Sequence, residues 1–397
     1  MPYSCDIRSS LQELDLADWR SLAGESDLFM DPRFVAAVEH GQRDAGKYWS
    51  VIVRDGTRRP VAIACLSLLP IDLAMLAGGA VMQIGGMLRQ LFPNALRYHA
   101  LFCGLPVSAG QSHLRIAAEA DATEVLRSLV DEMERLARTA GARFLIFKEF
   151  GDLASERVLQ LANLGFFLGE SPPMNVFPTG FRSFEEYRAR LKAPYRSKIV
   201  RSQRKFVERG LRSECLTEGR LIAEQFTDEV YRMYLAVIEK SSVRLETLSA
   251  EWFREIARAF DRESVWTAIY DGDRLLAWAY GLLSGGIYHS LFGGVNYARN
   301  PEADAYFNLM YHELDFALQQ GANEIHLGQT ADDFKSRLGA TQEKRWFYLK
   351  PLRWKAKAVL NLAADRVLPR YPPPVERHVF QAAALRPQTD SVTQTLV

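Results

Sequence analysis

At 397 residues the chain is long enough for two domains, each with a core of its own. Apolar residues make up 48%, charged residues 24%, and the net charge is +1, so no overall attraction draws the chain to nucleic acid or membrane and any such attraction has to be local. Cys5, Cys65, Cys103 and Cys215 form no CxxC pair and no Cys/His ligand spacing, which argues against a disulfide framework or a zinc site and for reduced thiols in a cytoplasmic protein.

The opening MPYSCDIRSSLQELDLADW is too polar for a signal peptide, and export is not expected. Tyr48 to Val53 and Pro60 to Leu69 flank a turn with Asp55-Gly56 at its tip, which predicts a hairpin. Val61 to Leu88 carries Asp72 as its only charge and has the length of a bilayer span. Pro70-Ile71-Asp72 and the pairs Gly78-Gly79 and Gly85-Gly86 interrupt it, predicting a strand, a turn and a weak apolar helix instead. Leu73 to Phe92 keeps a second reading as an apolar face near lipid. Next comes a helix with Leu126, Leu129, Met133, Leu136 and Ala140 on one face, ended by Gly141, and then a buried strand from Phe144 to Phe147.

The segment from Gly165 to Arg182 contains Pro172, Pro173 and Pro178 and reads as a hinge between halves. From Arg188 to Arg212 there are ten basic residues and one acidic one, Glu208. Tyr195, Ile199 and Phe206, with Val200 and Val207, fall at helical spacing, predicting an amphipathic helix with a cationic face suited to phosphate. Helical regions follow around Ile222 to Ile238 and Glu251 to Phe260. The order of the first half then repeats: a hairpin from Val265 to Leu283 around Asp271-Gly272-Asp273, a strand from Ile287 to Val295, a helix with Phe307, Met310, Leu314 and Ala317 aligned, the break Gly321-Ala322, the strand EIHLG and a last strand RWFYL. The two Gly-Ala breaks lie 180 residues apart. The chain therefore reads as α/β with the same unit twice, and beyond Pro369 as a loosely ordered tail.

Only the second unit carries a polar turn bearing lysine, from Gly328 to Lys335. It follows a sheet strand, where ligands collect in open α/β sheets. Lys335 there suits a developing oxyanion or a phosphate, and Asp332 or Asp333 suits a general base. His289 and His326 lie on predicted core strands, where a structural histidine is the commoner case; His289 is kept among the catalytic candidates. Gly293-Gly294 would let a ligand approach the strand, and a bulge explains the pair equally well. Asp304 is placed to cap the helix beginning near Ala305, whose free amides would form an anion site. No Walker motif, GxGxxG, HExxH or GxSxG occurs, which leaves kinase, Rossmann dehydrogenase, zincin and serine hydrolase readings without support.

The basic segment YRSKIVRSQRKFVERG, the block from His289 to Gly328, and QTADDFKSRLGATQEKRWFYLK together resemble the GNAT-like acyltransferases of the Fem type, over roughly Phe181 to Leu349. The resemblance implies two tandem GNAT-like domains, each a mixed, mostly antiparallel sheet flanked by helices: 1–170, 171–355 with the active site, and a C-terminal helix and tail over 356–397. It implies transfer of an acyl group from an acyl-CoA-type thioester to a primary amine, with no tightly bound cofactor. An aminoacyl-tRNA donor is the second enzyme reading, and a non-catalytic phosphate- or membrane-surface-binding module the third. The family's FK(x)nG turn corresponds to Lys335 and Gly339, and its helix start to Asp304–Asn308. Site residues on this reading are Lys335, Asp333, Asp332 and His289 for catalysis; Phe292, Gly293, Gly294, Asp304, Tyr306, Asn308 and Gln329 for the donor; and Arg196, Arg201 and Arg204 for phosphate. The expected acceptor is a small-molecule or lipid-linked amine, with tRNA and the inner membrane surface as further partners. The pyrophosphate loop of acetyl-CoA enzymes is not visible between Gly293 and Asn308, and the coiled-coil arm of some Fem enzymes is absent.

Overall fold

The computed structural model describes residues 3–24, 26–72, 97–240, 247–373 and 377–381. In chain order the elements are β1 (Ser4–Arg8), α1 (Leu16–Ala23), α2 (Pro32–Gly41), β2 (Lys47–Arg54), β3 (Pro60–Asp72), β4 (Arg97–Cys103), β5 (Leu114–Ile116), α3 (Ala122–Ala140), β6 (Phe144–Phe150) and β7 (Phe167–Phe177). The chain continues through α4 (Phe184–Arg190), α5 (Ala193–Glu208), β8 (Arg212–Leu216), α6 (Gly219–Gln225), α7 (Asp228–Lys240), α8 (Ala250–Phe260), β9 (Ser264–Asp271), β10 (Arg274–Ser284) and β11 (Ile287–Val295). Last come α9 (Asn300–Ala303), α10 (Ala305–Gln319), β12 (Glu324–His326), α11 (Asp332–Arg337), β13 (Thr341–Pro351) and α12 (Trp354–Val367).

All the strands among the described residues belong to one sheet, ordered β1-β2-β3-β4-β6-β13-β7-β12-β11-β10-β9-β8, with β5 beside β3. The order is palindromic in topology. Each half has an antiparallel meander, a helix and a strand that returns parallel: β4 with β6 around α3, and β11 with β12 around α10. The strand that follows the parallel pair crosses to the other half. β7 pairs with β12, β13 pairs with β6, and the two lie antiparallel to each other at the centre.

That arrangement changes the reading of Gly165 to Arg182. The segment is not a hinge but supplies β7, an inner strand. Pro172 and Pro173 are accommodated because the register against β13 shifts between Glu343 and Arg345, and a residue without an N–H is tolerated at such a bulge.

Both hairpins form as their turn residues require. Asp55 accepts from the backbone N–H groups of Thr57 and Arg59 at 2.9 and 3.0 Å, and Gly272 takes the left-handed conformation at φ 58°. Alternate residues of the strands feed two layers. Val51 and Val53 join Leu126, Leu129 and Met133 of α3, while Ile52 points to the opposite face with α1, α2, α6, α7 and α8. That second layer holds four fully buried tryptophans, Trp19, Trp252, Trp266 and Trp278. Such a core buries its aromatic surface at roughly 25 cal/mol per Å² of apolar area removed from water.

The basic segment is two helices rather than one. Pro194, in the first turn of α5, fits a helix start and cannot continue α4. Ile199 and Ser202 face inward, whereas Val200 and Val207 stand among the cations, Val207 with 74% of its surface exposed. The helical region predicted around Ile222 to Ile238 is likewise split between Gln225 and Asp228. Leu73 to Phe92 and most of the predicted tail lie outside the described residues. No helix among the described residues is long and apolar enough to cross a membrane. The four cysteines are unpaired.

Candidate active site

β11 and β12 hydrogen-bond in parallel register from Ile287 opposite Glu324 to His289 opposite His326. Beyond that point they separate, because Leu327 turns toward β7 and donates its N–H to the Asn175 carbonyl at 2.8 Å. On the other side of the gap β11 carries a bulge: Tyr280 pairs with Phe292 and Gly281 with Ser290, which leaves Leu291 out of the ladder. The opening lies at the carboxyl ends of the parallel strands.

The lysine-bearing segment is a short helix, α11, rather than a turn. Ala331 enters it in the left-handed conformation at φ 58°. Phe334 packs on Phe307 of α10 with ring centroids 4.7 Å apart. This contact drives Lys335 inward, where it is only 3% exposed. Its Nζ donates to the Leu327 carbonyl and lies beside Gly328, which the Ser290 carbonyl also faces at the opening. Burial pulls the Lys335 pKa down to about 8, against the charges of Asp332 and Glu313, which hold it up.

The two aspartates separate. Asp332 accepts a hydrogen bond from the Asn175 side chain at 2.8 Å and belongs to the lysine's surroundings. Asp333 is turned outward into ion pairs with Arg337 at 2.6 Å and Arg377 at 2.9 Å. Solvated and already doubly paired, it has no route to the opening. Asn175, at the centre of the sheet, also donates to the Gly328 carbonyl from its backbone N–H at 3.1 Å and from its side chain at 2.9 Å. It fixes the start of α11 to β7.

Sequence reasoning passed over Glu313. It stands on the inner face of α10 and is 1% exposed. Tyr288 and Ser290 of β11 donate hydroxyl hydrogen bonds to it at 2.9 and 3.0 Å. Burial pushes its pKa up to about 7, partly offset by those hydrogen bonds and by the Lys335 charge. The 180-residue step between the Gly-Ala breaks would have found it, because that step sets Glu313 where the first unit has Met133. A carboxylate in place of a core methionine is a functional signal.

Other candidates take different positions. His289 lies on the opposite face of β11 from Tyr288, against Phe29 at 5.3 Å and His326 at 4.9 Å between ring centroids. Burial lowers its pKa to about 3, so it is neutral and a poor base near pH 7. Phe292 packs into the aromatic core beside Trp252 and Phe253. Gly293 and Gly294 make room for Trp278: an added Cβ would meet the Trp278 carbonyl at 2.8 Å or its indole nitrogen at 2.2 Å. Gln329 bridges Glu149 at 2.8 Å and the Pro172 carbonyl at 2.6 Å.

Much of the start of α10 is already partnered. Asp304 is itself left-handed and makes no side-chain cap; its carboxylate pairs with Lys205 of α5 at 3.2 Å. The Tyr306 N–H is capped by Asn300 at 2.9 Å, and those of Phe307 and Asn308 donate to the Asp304 carbonyl at 3.1 Å. Asn308 is buried against Ser202, and Tyr306 packs on Phe334. Three of the amides expected to hold an anion, those of Tyr306, Phe307 and Asn308, are therefore partnered within the chain. On α5, Arg204 pairs with Glu208 at 3.5 Å and Arg196 reaches the Leu191 carbonyl at 3.5 Å, while Arg201 makes no ion pair among the described residues.

A lysine, a glutamate and a bulged strand gathered where a parallel pair splits suit acyl transfer, and comparison with known families agrees. Residues 193–336 match the family described as an acetyltransferase (GNAT) domain. Over that stretch the chain is similar to a GNAT-type acetyltransferase domain. Among solved structures, FemX is 14% identical, with 90% of this chain and 99% of that one covered and a TM-score of 0.51. A tandem GNAT protein from the clavulanic acid biosynthesis pathway is 12% identical over 88% and 98%, with a TM-score of 0.52. L-PGS from Bacillus licheniformis is 8% identical over 91% and 98%, with a TM-score of 0.50. At these identities the likeness is one of fold, and the fold is the tandem GNAT arrangement. A search among curated protein sequences found no significant match.

Proposed function

We propose that the chain forms an amide by direct attack of a primary amine on an activated acyl donor, at the opening between β11 and β12. The observation that carries this reading is the buried Lys335 ammonium beside Gly328, within electrostatic reach of Glu313. An ammonium has three donors, and the Leu327 carbonyl takes one. The others suit a developing oxyanion, which a preorganised charge in a water-poor site stabilises strongly. Glu313, with a pKa near 7, suits the amine proton, and Asp332 holds the lysine's charge. The new bond joins amine nitrogen to acyl carbon, the donor's thiolate or ribose oxygen leaves, and the amine proton passes to Glu313.

An acyl-CoA-type thioester is the donor on the first reading. The partnered amides at the start of α10 favour a second, in which an aminoacyl-tRNA backbone is held by Arg196, Arg201 and Arg204 on the outer face of α5. The acceptor is an amine, free or lipid-linked, and a lipid-linked acceptor would bring the chain to the inner membrane surface. Binding of coenzyme A and of aminoacylated tRNA, each titrated against salt, separates the donors. RNA binding should fall steeply as salt rises and weaken when the three arginines become glutamine. Tight, salt-insensitive binding of coenzyme A would return the donor to the thioester. Release of coenzyme A or of free tRNA in the presence of amines tests the reaction, and full turnover in Lys335→Met would overturn the site.

A further inference from the structure

α12 presents to solvent a face that a water-soluble surface does not ordinarily carry. Trp354, Val359 and Leu362 are 74%, 55% and 89% exposed. Trp354, Ala358 and Leu362 recur every fourth residue and so form one stripe. The opposite side of the helix, through Ala356 and Leu360, covers the apolar cluster of β4, β6 and β13, joined by Ala364 beyond a kink at Ala363. The exposed stripe is thus not needed to hold the helix in place.

Its surroundings are basic. Arg353, Lys355, Lys357 and Arg366 lie on or next to the helix and make no ion pair among the described residues, while the one acid, Asp365, is paired with Arg370. The Lys355 ammonium sits 5.7 Å from the Trp354 ring centroid. Tryptophan and leucine amid unpaired lysine and arginine on a helix lying flat on the protein are the make-up of an interfacial helix. The complementary surface is anionic and apolar just beneath. Ile71 and Tyr98 pack into the cluster under α12, next to where the described chain stops at Asp72 and resumes at Arg97. Between them the sequence carries Arg89 as its only charge.

We propose that α12 docks the protein on an anionic phospholipid surface. Trp354 and Leu362 enter the headgroup region and Arg353, Lys355 and Lys357 meet the phosphates. The inference goes beyond the acyl-transfer reading and does not depend on its donor.

Co-sedimentation of the full chain with vesicles of phosphatidylglycerol and phosphatidylcholine, against phosphatidylcholine alone, tests it. The wild type should sediment with the anionic vesicles and dissociate as salt rises. Trp354→Ser with Leu362→Ser should weaken partitioning about tenfold or more, with an unchanged melting temperature because both side chains are solvated. Wild-type protein that stays in solution overturns the proposal. So does a double variant that binds as well as the wild type, which would move the contact to α5 or to residues 73–96. If the wild type is dimeric without lipid and the double variant monomeric, a second copy covers the stripe and the proposal also fails.

Discussion

Between β4 and β6 the facing helix contributes Met133, whereas between β11 and β12 the matching position of α10 holds Glu313. The 180-residue step that relates these two also carries Ile146 onto His326, and the partners of those residues are Phe102 and His289. Their neighbours therefore correspond: Leu101 to Tyr288, and Cys103 to Ser290. In the first half Leu101, Cys103 and Met133 belong to one apolar cluster. In the second, Tyr288, Ser290 and Glu313 form a hydrogen-bonded trio. The same step sets Ser155 where Lys335 stands and Asp152 where Asp332 stands. Asp152 only caps its own turn, accepting from Ala154 N–H at 2.8 Å. One backbone thus carries a closed apolar seam in one half and a polar, charged opening in the other. The two halves thus differ at three core side chains and one helix residue, without a change of architecture.

Breaking the contrast at Lys335 should have the largest effect. Lys335→Met should lower turnover by roughly 10²–10³-fold, the scale of losing one oxyanion donor. It should leave stability equal or higher by about 1–2 kcal/mol, because a buried charge is replaced by an apolar side chain of similar length. Amide formation and thermal unfolding on one preparation check both. Lys148, by contrast, lines the first seam with its chain against Gly104, and Lys148→Met should leave turnover within about twofold.

Glu313→Met would convert the second trio toward the first. It should reduce turnover by roughly 10²-fold and remove the inflection near pH 7 from the rate profile. The reverse change, Met133→Glu, places a carboxyl among Leu101 and Cys103 with no donor to meet it and should destabilise by roughly 3 kcal/mol. A stable Met133→Glu protein would show that the first seam is open to solvent.

Stability against pH sharpens the same comparison. The Glu313 pKa is raised in the folded state from 4.5 to about 7. The folded protein then holds a proton the unfolded chain releases, so this contribution is complete below about pH 4.5 and is lost as pH rises to about 7. The Lys335 pKa is lowered from 10.5 to about 8, so stability should recover between about pH 8 and 10.5 as the unfolded chain alone stays protonated. Denaturant midpoints of wild type minus Glu313→Met, and wild type minus Lys335→Met, should isolate the falling and rising limbs.

The smallest expected effect is at the tether. Asn175→Ala removes the side-chain bonds to Asp332 and Gly328 and should cost about 1–2 kcal/mol, with a severalfold drop in turnover if α11 shifts. Unchanged turnover would mean that the aromatic contact of Phe334 with Phe307 positions Lys335 without help from β7.

Much of this was legible in the sequence because it is local. Asp55-Gly56 and Asp271-Gly272 mark their hairpins, Gly141 closes α3 at φ 73°, and the spacing of Met310, Leu314 and Ala317 marks the inner face of α10. Lys335 stands out in the sequence as a lysine in a polar segment after a core strand. Glu313 is hidden in the α10 pattern, because a helical period is carried by the apolar residues and the carboxylate that interrupts them adds nothing to it. Asp333 and Asp332 were indistinguishable, since neighbours on a short helix differ only in what the rest of the protein places beside them.

The sequence by itself determined the two units, their strands and helices and their offset, because turn chemistry and hydrophobic period act over a few residues. Only the tertiary structure decided that the proline-bearing segment is the central strand β7, that β7 and β13 change halves, and that Asn175 meets Asp332 from 157 positions away. It also decided which lysine loses its water. Strand pairing and desolvation depend on what is brought close in space, and a one-dimensional pattern carries that information only where a repeat exposes it, as Met133 and Glu313 do.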